Sequence, residues 1–353
     1  MSVTLKEIAY YAGVDVSVVS RVLNNKADQY RISRRCQEKV KKIALELGYI
    51  PNAYAVGVKT GQFNCVALLH GDFTNKSYLP EKLLCEIHLN LEKQGKHLLL
   101  ARVPKETVKE QELPMIFRSL MAEGLIVNFF QDMPPKVRKA IHDTQMPKIW
   151  LNDKLEYDAV YPDSFAAAKR ATEYLIGLGH RKICYCDIYS YNQKPNAHYS
   201  AADRRGGYQQ AMQEAGLAPY DITPSAELKL EESIDKQTEF FYSVLKKPER
   251  PTAMLFYWGY SIPAIFAVAA RLNLQIPRDL SVITFAGETD QRVGLCSTAI
   301  IEPETDMARE AVAMLRKKIK HKDTPLPSKR LDYHFLDMKT CAKPNESTLE
   351  KSL

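Results

Sequence analysis

Apolar residues at the start of the chain recur at helical spacing in three short blocks. Ile8, Ala9 and Ala12 line one face of the first block, and Val14, Val18, Val19, Val22 and Leu23 line the second. Val40, Ile43, Ala44 and Leu47 line the third. The punctuation between them is local. Thr4 and Glu7 form a T-x-x-E capping box, in which each side chain satisfies a backbone N–H at the helix start. Gly13 stands where a left-handed residue ends the first helix, Ser33 is a good N-cap for the third, and Gly48 stops it. Three short helices with a tight turn between the first two predict a helix-turn-helix module over residues 1–50, a fold whose second helix enters the major groove of DNA.

From residue 63 the pattern changes. The runs "CVALLH", "HLLLA", "GLIVNFF", "KICYC", "AMLFY" and "LSVITF" are short and bulky, as strands buried on both faces are. Amphipathic helical stretches at 80–94, 164–178, 204–215, 260–272 and 305–320 lie between them. Such alternation predicts doubly wound α/β sheets. The stretch 63–343 is long enough for two lobes with a ligand cleft between them.

Composition narrows the class. A hydrophobic share of 45% and a charged share of 26% describe a globular chain of 353 residues, long enough for more than one domain. No apolar run approaches the roughly 18 residues of a membrane span, and "MSVTLKEIAY" carries no signal-peptide apolar region. The seven cysteines lack framework spacing, which suits a reducing cytoplasm. Cys184 and Cys186 read as same-face strand positions; as a metal pair they would lack a second cluster to complete the ligand set. The net charge of +7 is uneven: residues 1–61 hold ten Lys/Arg against five Asp/Glu, leaving +2 for the rest. That asymmetry implies a polyanion-binding module joined to a nearly neutral body.

With its valines turned inward, the second helix presents Val16, Ser17, Ser20, Arg21 and Asn24. Arg21 reaches guanine O6 and N7, Asn24 both donates and accepts, and Val16 meets a thymine methyl. Three-helix packing alone is the alternative, since enzymes contain such turns; the basic excess and the polar set on one helix favour DNA. An enzyme lacks support: there is no P-loop, G-x-G-x-x-G, H-E-x-x-H or G-x-S-x-G, and the eight histidines show no ligand spacing. No catalytic residue, metal site or cofactor is expected.

"TLKEIAYYAGVDVSVVSRVLNN" followed by "EKVKKIALELGYIPN" resembles the DNA-binding head of the lactose-repressor family of bacterial transcription regulators. The resemblance implies DNA contacts at Thr4, Val16, Ser17, Arg21, Asn24, Ser33, Tyr49 and Asn52, and dimers on pseudo-palindromic double-stranded operators. It implies that 51–62 is a hinge helix that orders on DNA, with Ala55 and Val58 against the minor groove. Val58 stands where the family wedges a leucine between base pairs. Gly57 before it costs about 1 kcal/mol of helix stability relative to alanine. A plain flexible linker is the other reading of this stretch.

The body continues the resemblance through "AAAKRATEYLIGLGHRKICYC", "RRGGYQQAMQEAGL", "PTAMLFYWGYSIPAIFAVAARLNLQIPRDLSVITFAG" and "STAIIEPETDMAREAVAMLRKKI". It implies the fold of periplasmic sugar-binding proteins with three crossovers. The first lobe is then 63–161 with about 291–323, the second 162–290 with about 324–342, and 344–353 is a polar tail. It also implies that Arg204, starting the R-x-x-G-Y helix, binds effector oxygens; an interlobe salt bridge is the alternative. Trp258–Gly259 replaces a common Asn-Asp, Ala286–Gly287 a sugar-binding aspartate, and Asn152 another aspartate. Those changes remove acceptors for sugar hydroxyls while Trp258 adds a stacking face. Glu288 is the candidate substitute acid, and Asp72, Tyr78 and Tyr161 are rim candidates.

The expectation is therefore a dimeric, DNA-binding regulator of the bacterial cytoplasm and nucleoid, without membrane contact. A small effector, a carbohydrate or a derivative, would control it from the interlobe cleft. A decayed pocket governed by a protein partner, and an extracytoplasmic solute receptor, are the alternatives.

Overall fold

The computed structural model describes residues 3–24, 26–49, 63–71, 79–103, 121–129, 133, 135–188, 197–224, 228, 230, 233–289, 297–321 and 324–345. The chain divides into two compact units, Met1–Phe63 and Asn64–Leu353.

In the first unit, α1 (Leu5–Ala12), α2 (Val16–Leu23) and α3 (Arg34–Glu46) enclose Ile8, Ala9, Ala12, Val19, Val22, Val40 and Ala44. Both halves of the Thr4–Glu7 capping box form. Gly13 follows α1 at φ +64°, a left-handed position that a side chain would strain. Asp15 then caps α2 through the Ser17 N–H at 2.8 Å, and Ser33 accepts from the Cys36 N–H. Ala27, between α2 and α3, joins the same core.

The second unit contains two six-stranded sheets. The first has the order β11-β5-β4-β3-β1-β2 and is parallel throughout; its strands are β1 (Cys65–Gly71), β2 (His97–Val103), β3 (Gly124–Asn128), β4 (Lys148–Leu151), β5 (Ala159–Pro162) and β11 (Lys329–Leu331). The second comprises β6 (Ile183–Cys186), β7 (Tyr220–Ile222), β8 (Ala253–Phe256), β9 (Ser281–Ala286), β10 (Thr298–Ile301) and β12 (His334–Leu336), in the order β12-β10-β9-β8-β6-β7. Only the edge strand β12 runs antiparallel, to β10, among these pairings. The central strands β3, β6, β8, β9 and β10 are buried along their length, because helices cover both faces.

Helices α4 (Glu81–Glu92), α5 (Pro135–Asp143) and α10 (Glu304–Lys320) pack on the first sheet. Helices α6 (Ser164–Gly177), α7 (Tyr199–Glu214), α8 (Ile234–Leu245) and α9 (Ile262–Arg271) pack on the second. Cys184 and Cys186 face one apolar cluster of that lobe. Among the described residues no helix is long and apolar enough to cross a membrane.

The chain passes between lobes at 162–164, 301–304 and 331–334, and this corrects the expected lobe boundaries. β10 lies in the second sheet, not the first lobe, and β11 lies in the first sheet, not the second lobe. A run such as Thr298–Ile301 marks a buried strand, but the sheet it joins is decided by its partner. Here that partner is β9, with Ile300 opposite Phe285. The hinge stretch 51–62, with Asn52, Ala55 and Val58, and the rim candidates Asp72 and Tyr78 lie outside the described residues.

Candidate functional site: an exposed recognition helix and an arginine under three crossovers

Helix α2 is held from beneath by Val19 and Val22, which are almost fully buried. Val16, Ser17 and Asn24 are exposed, while Ser20 and Arg21 are half-buried. The Arg21 guanidinium lies 4.0 Å over the ring of Tyr30, a cation–π contact that holds the long side chain. Asn24 is the C-cap of α2, and its amide donates to the Ser20 carbonyl at 2.7 Å. Thr4 and Ser33 are committed to helix capping, and Tyr49 packs on the head core with its N–H on the Ala44 carbonyl at 2.8 Å. Tyr30 is the neighbour that sequence reading missed; a turn residue seven positions after α2 carries no periodic signal.

In the body, the R-x-x-G-Y motif has a mechanical meaning. A Cβ at Gly207 would lie 2.2 Å from the Phe165 carbonyl oxygen, so glycine lets α7 touch α6. Tyr208 donates to the Ile183 carbonyl at 2.8 Å and accepts from the Tyr220 N–H at 2.7 Å, pinning α7 to the sheet. Arg204, one turn earlier, is thereby fixed. It does not start the helix, as the motif alone suggested. His198 caps α7 through the Ser200 N–H, so the helix begins at Tyr199.

Arg204 is only 1% exposed. Its Nη1 donates to the Tyr257 carbonyl at 2.7 Å and its Nη2 to the Tyr333 hydroxyl at 2.9 Å. Glu302 lies 3.8 Å away. The ring of Phe285 stands 4.0 Å from the guanidinium, Tyr257 4.7 Å, Trp258 5.4 Å and Tyr333 5.7 Å. Burial works against the charge, yet Tyr333, Tyr257 and Glu302 more than restore it, so the pKa lies above the ordinary arginine value. Burial, with Asp187 as the next cause, drives the Tyr185 hydroxyl far up. Tyr185 Oη, Arg204 Nε and Trp258 Nε1 are buried without a hydrogen-bond partner among the described residues. Polar atoms left that way are uncommon and call for an acceptor.

Other candidates are engaged by protein groups of the body. Asn152, at φ +55°, accepts from Tyr199 through its side chain at 3.0 Å, and its backbone carbonyl lies 2.6 Å from His198 Nε2. Burial lowers the His198 pKa to about 4, so the ring is neutral and donates from Nε2 to that carbonyl. Tyr161 packs edge-on to Tyr199 at 6.0 Å. Trp258 lies beside Tyr260, half-buried. Glu288 accepts the Thr305 N–H at 2.9 Å and the Thr305 hydroxyl at 2.7 Å, capping α10. Sequence reading missed Glu302, Tyr333, His198 and Tyr199, which meet this site only through the crossovers and the early start of α7.

A basic helix-turn-helix unit followed by a two-sheet body with strand ends facing between lobes defines a DNA-binding transcriptional regulator. Residues 4–52 match the family model for bacterial regulatory proteins of the lacI family, and 172–336 match that for the periplasmic binding protein-like domain. The chain thus carries a lacI-family helix-turn-helix head and a periplasmic binding protein-like body, and the relatives it matches are regulators of that family. The HTH-type transcriptional regulator KdgR of Bacillus subtilis (strain 168) is 25% identical over 324 residues, 90% of this chain and 91% of the relative. The HTH-type transcriptional repressor CytR of Escherichia coli (strain K12) is 23% identical, over 94% of each chain. These relatives are regulators, not enzymes. The fold matches a crystal structure of the lac repressor dimer bound to operator and the anti-inducer ONPF, with TM-score 0.77 at 19% identity, covering 97% of this chain and 100% of that one. It also matches a CelR–cellobiose complex, with TM-score 0.63 at 20% identity, covering 96% and 99%.

Proposed function

We propose that this protein is a repressor that binds a two-fold-symmetric operator as a homodimer in the bacterial cytoplasm, and that a small molecule in the interlobe cleft controls it. The observation that carries the DNA half is helix α2: buried valines hold it while Val16, Ser17, Ser20, Arg21 and Asn24 line its other side. Arg21 reads a guanine edge, Val16 meets a thymine methyl, and Thr4, Ser33 and Tyr49 contact phosphates around them. Residues 51–62 serve as the hinge, with Asn52, Ala55 and Val58 toward the minor groove.

Dimer formation is supported by large apolar side chains left exposed on the body: Leu89 on α4, Tyr260, and Phe266 on α9. The compared lac repressor is itself a dimer on its operator. The cleft reading is supported by the three buried donors around Arg204, which suit the oxygens of a hydroxylated ligand, with the half-buried Trp258 ring to stack on it. Cellobiose is the ligand in the CelR complex, and a carbohydrate or nucleoside-like effector is the reading here. A second reading has its own observation: protein oxygens hold both Nη atoms of Arg204, which favours control by a protein partner over control by a ligand.

Selection of genomic fragments on the purified protein, followed by mobility shift, tests the DNA half. Recovery of a two-fold-symmetric site supports it, and only sequence-independent binding refutes it. Thermal-shift screening of neutral sugars, sugar phosphates and nucleosides separates the two readings of the cleft.

A further inference from the structure

The three places where the chain passes between lobes converge on one guanidinium. Tyr333, in the third crossover, accepts from Arg204 at 2.9 Å and lies 2.9 Å from the Ser164 hydroxyl of the first. Glu302, in the second, stands 3.8 Å from the same guanidinium and is 5% exposed. Two backbone hydrogen bonds report on these crossovers directly. The Asp163 N–H donates to the Leu331 carbonyl at 2.8 Å, joining the first to the third, and the Glu302 N–H donates to the Ala286 carbonyl at 2.9 Å.

Tyr333 also reaches into the ring cluster of the second lobe. It meets Phe285 edge-on at 5.3 Å, and Phe285 in turn lies against Arg204. The tyrosine therefore joins the third crossover to the aromatic cluster around Arg204, its oxygen accepting one Nη2 hydrogen. We propose that Arg204 and Tyr333 form a latch that clamps the three crossovers together, and that a ligand oxygen competing for the Nη2 hydrogen given to Tyr333 displaces its hydroxyl. Tyr333 thus positions the lobes, and it selects for ligands whose oxygen outcompetes a phenol. Its consequence for DNA rests on the reading of the cleft as the controlling site.

The test is amide hydrogen exchange on the full chain. Tyr333→Phe removes one oxygen and keeps the ring. The expected result is exchange of the Asp163 and Glu302 amides faster by roughly 10- to 100-fold, the scale of one lost hydrogen bond to a charged group, with strand-centre amides such as Val127 and Val282 unchanged. Ser164→Ala provides the second variant: it leaves the Arg204–Tyr333 bond in place and speeds Asp163 while Glu302 keeps its wild-type rate. Unchanged exchange at both reporters in Tyr333→Phe, or acceleration spread evenly over the lobe, overturns the latch; so does a Ser164→Ala protein in which both reporters accelerate alike. Operator affinity is measured on the same variants. If exchange responds as stated while operator affinity does not move, the latch stands, and control of DNA binding through the cleft is what fails.

Discussion

Glu288 and Thr305 are joined by two hydrogen bonds, from the Thr305 N–H at 2.9 Å and from its hydroxyl at 2.7 Å. Helix α10 starts after Pro303 with no side-chain cap of its own, and Glu288, beyond the end of β9, supplies the missing acceptor. A carboxylate at a helix N-terminus also meets the positive end of the helix dipole. The acid that sequence reading offered to a ligand thus ties the second lobe to a helix of the first.

Glu288→Ala is therefore expected to lower stability by about 0.5–2 kcal/mol, as loss of a helix cap does, and Glu288→Gln by less, because its amide oxygen still accepts. Urea unfolding of the three proteins checks the order. A Glu288→Ala protein of wild-type stability with altered ligand binding would return Glu288 to the pocket.

Arg21 over Tyr30 fixes the best base-reading group of the head before DNA arrives. Arg21→Ala is expected to cost about 1–3 kcal/mol on the selected operator and much less on a scrambled duplex, because the loss is of base contacts. Tyr30→Leu should cost about 0.5–1 kcal/mol, the scale of an exposed cation–π contact. Mobility shifts on both duplexes at one salt concentration provide the measurement, since the phosphate contribution changes steeply with salt. Equal losses on the two duplexes would make Arg21 a phosphate contact.

His180 predicts the acid limb of stability. It is 1% exposed, with Nδ1 2.9 Å from the Thr252 hydroxyl and Nε2 3.0 Å from Ser281 and 2.9 Å from the Ala342 carbonyl. Burial is the main cause that lowers its pKa from 6.5 to about 4. The folded state favours the neutral ring, so the unfolded chain binds the proton first as pH falls. The contribution is complete above pH 6.5 and is lost between 6.5 and about 4; it amounts to roughly 3 kcal/mol at most. His180→Gln should flatten the stability profile across that window while lowering the plateau. A variant with the wild-type slope would assign the acid sensitivity elsewhere, His198 being the next candidate.

How much of this was legible in the sequence follows from the range of each signal. The head was readable almost residue by residue, because Thr4–Glu7, Gly13 and Ser33 act within one helical turn of themselves. The strands of the body were readable as apolar runs. What joins them was not. β10 and β11 changed lobes relative to expectation because strand pairing is decided by partners far along the chain. Arg204 carried a motif, but its partner Tyr333 lies 129 residues away in a stretch with no pattern. Glu288 had the right chemistry for a pocket, yet a helix N-terminus lacking a cap was nearer than any ligand.

The chain separates into two compact units between Phe63 and Asn64. A fragment of residues 64–353 retains both sheets with their covering helices, so it should fold alone. If Leu89, Tyr260 and Phe266 lie in the dimer contact, the fragment should also sediment as a dimer at micromolar concentration. All three are large apolar side chains at least 39% exposed, and burying them against a second copy removes apolar area from water. Phe266→Glu would then place a charge within that contact and should shift the fragment toward monomer. In the full chain the same change should weaken operator binding far more than it weakens one half-site, because two heads held at a fixed spacing read the two halves together. Sedimentation of the fragment and titration of full-length protein on whole and half operators give the two readouts. A Phe266→Glu protein that remains dimeric and keeps its preference for the whole operator would place the dimer contact on another face.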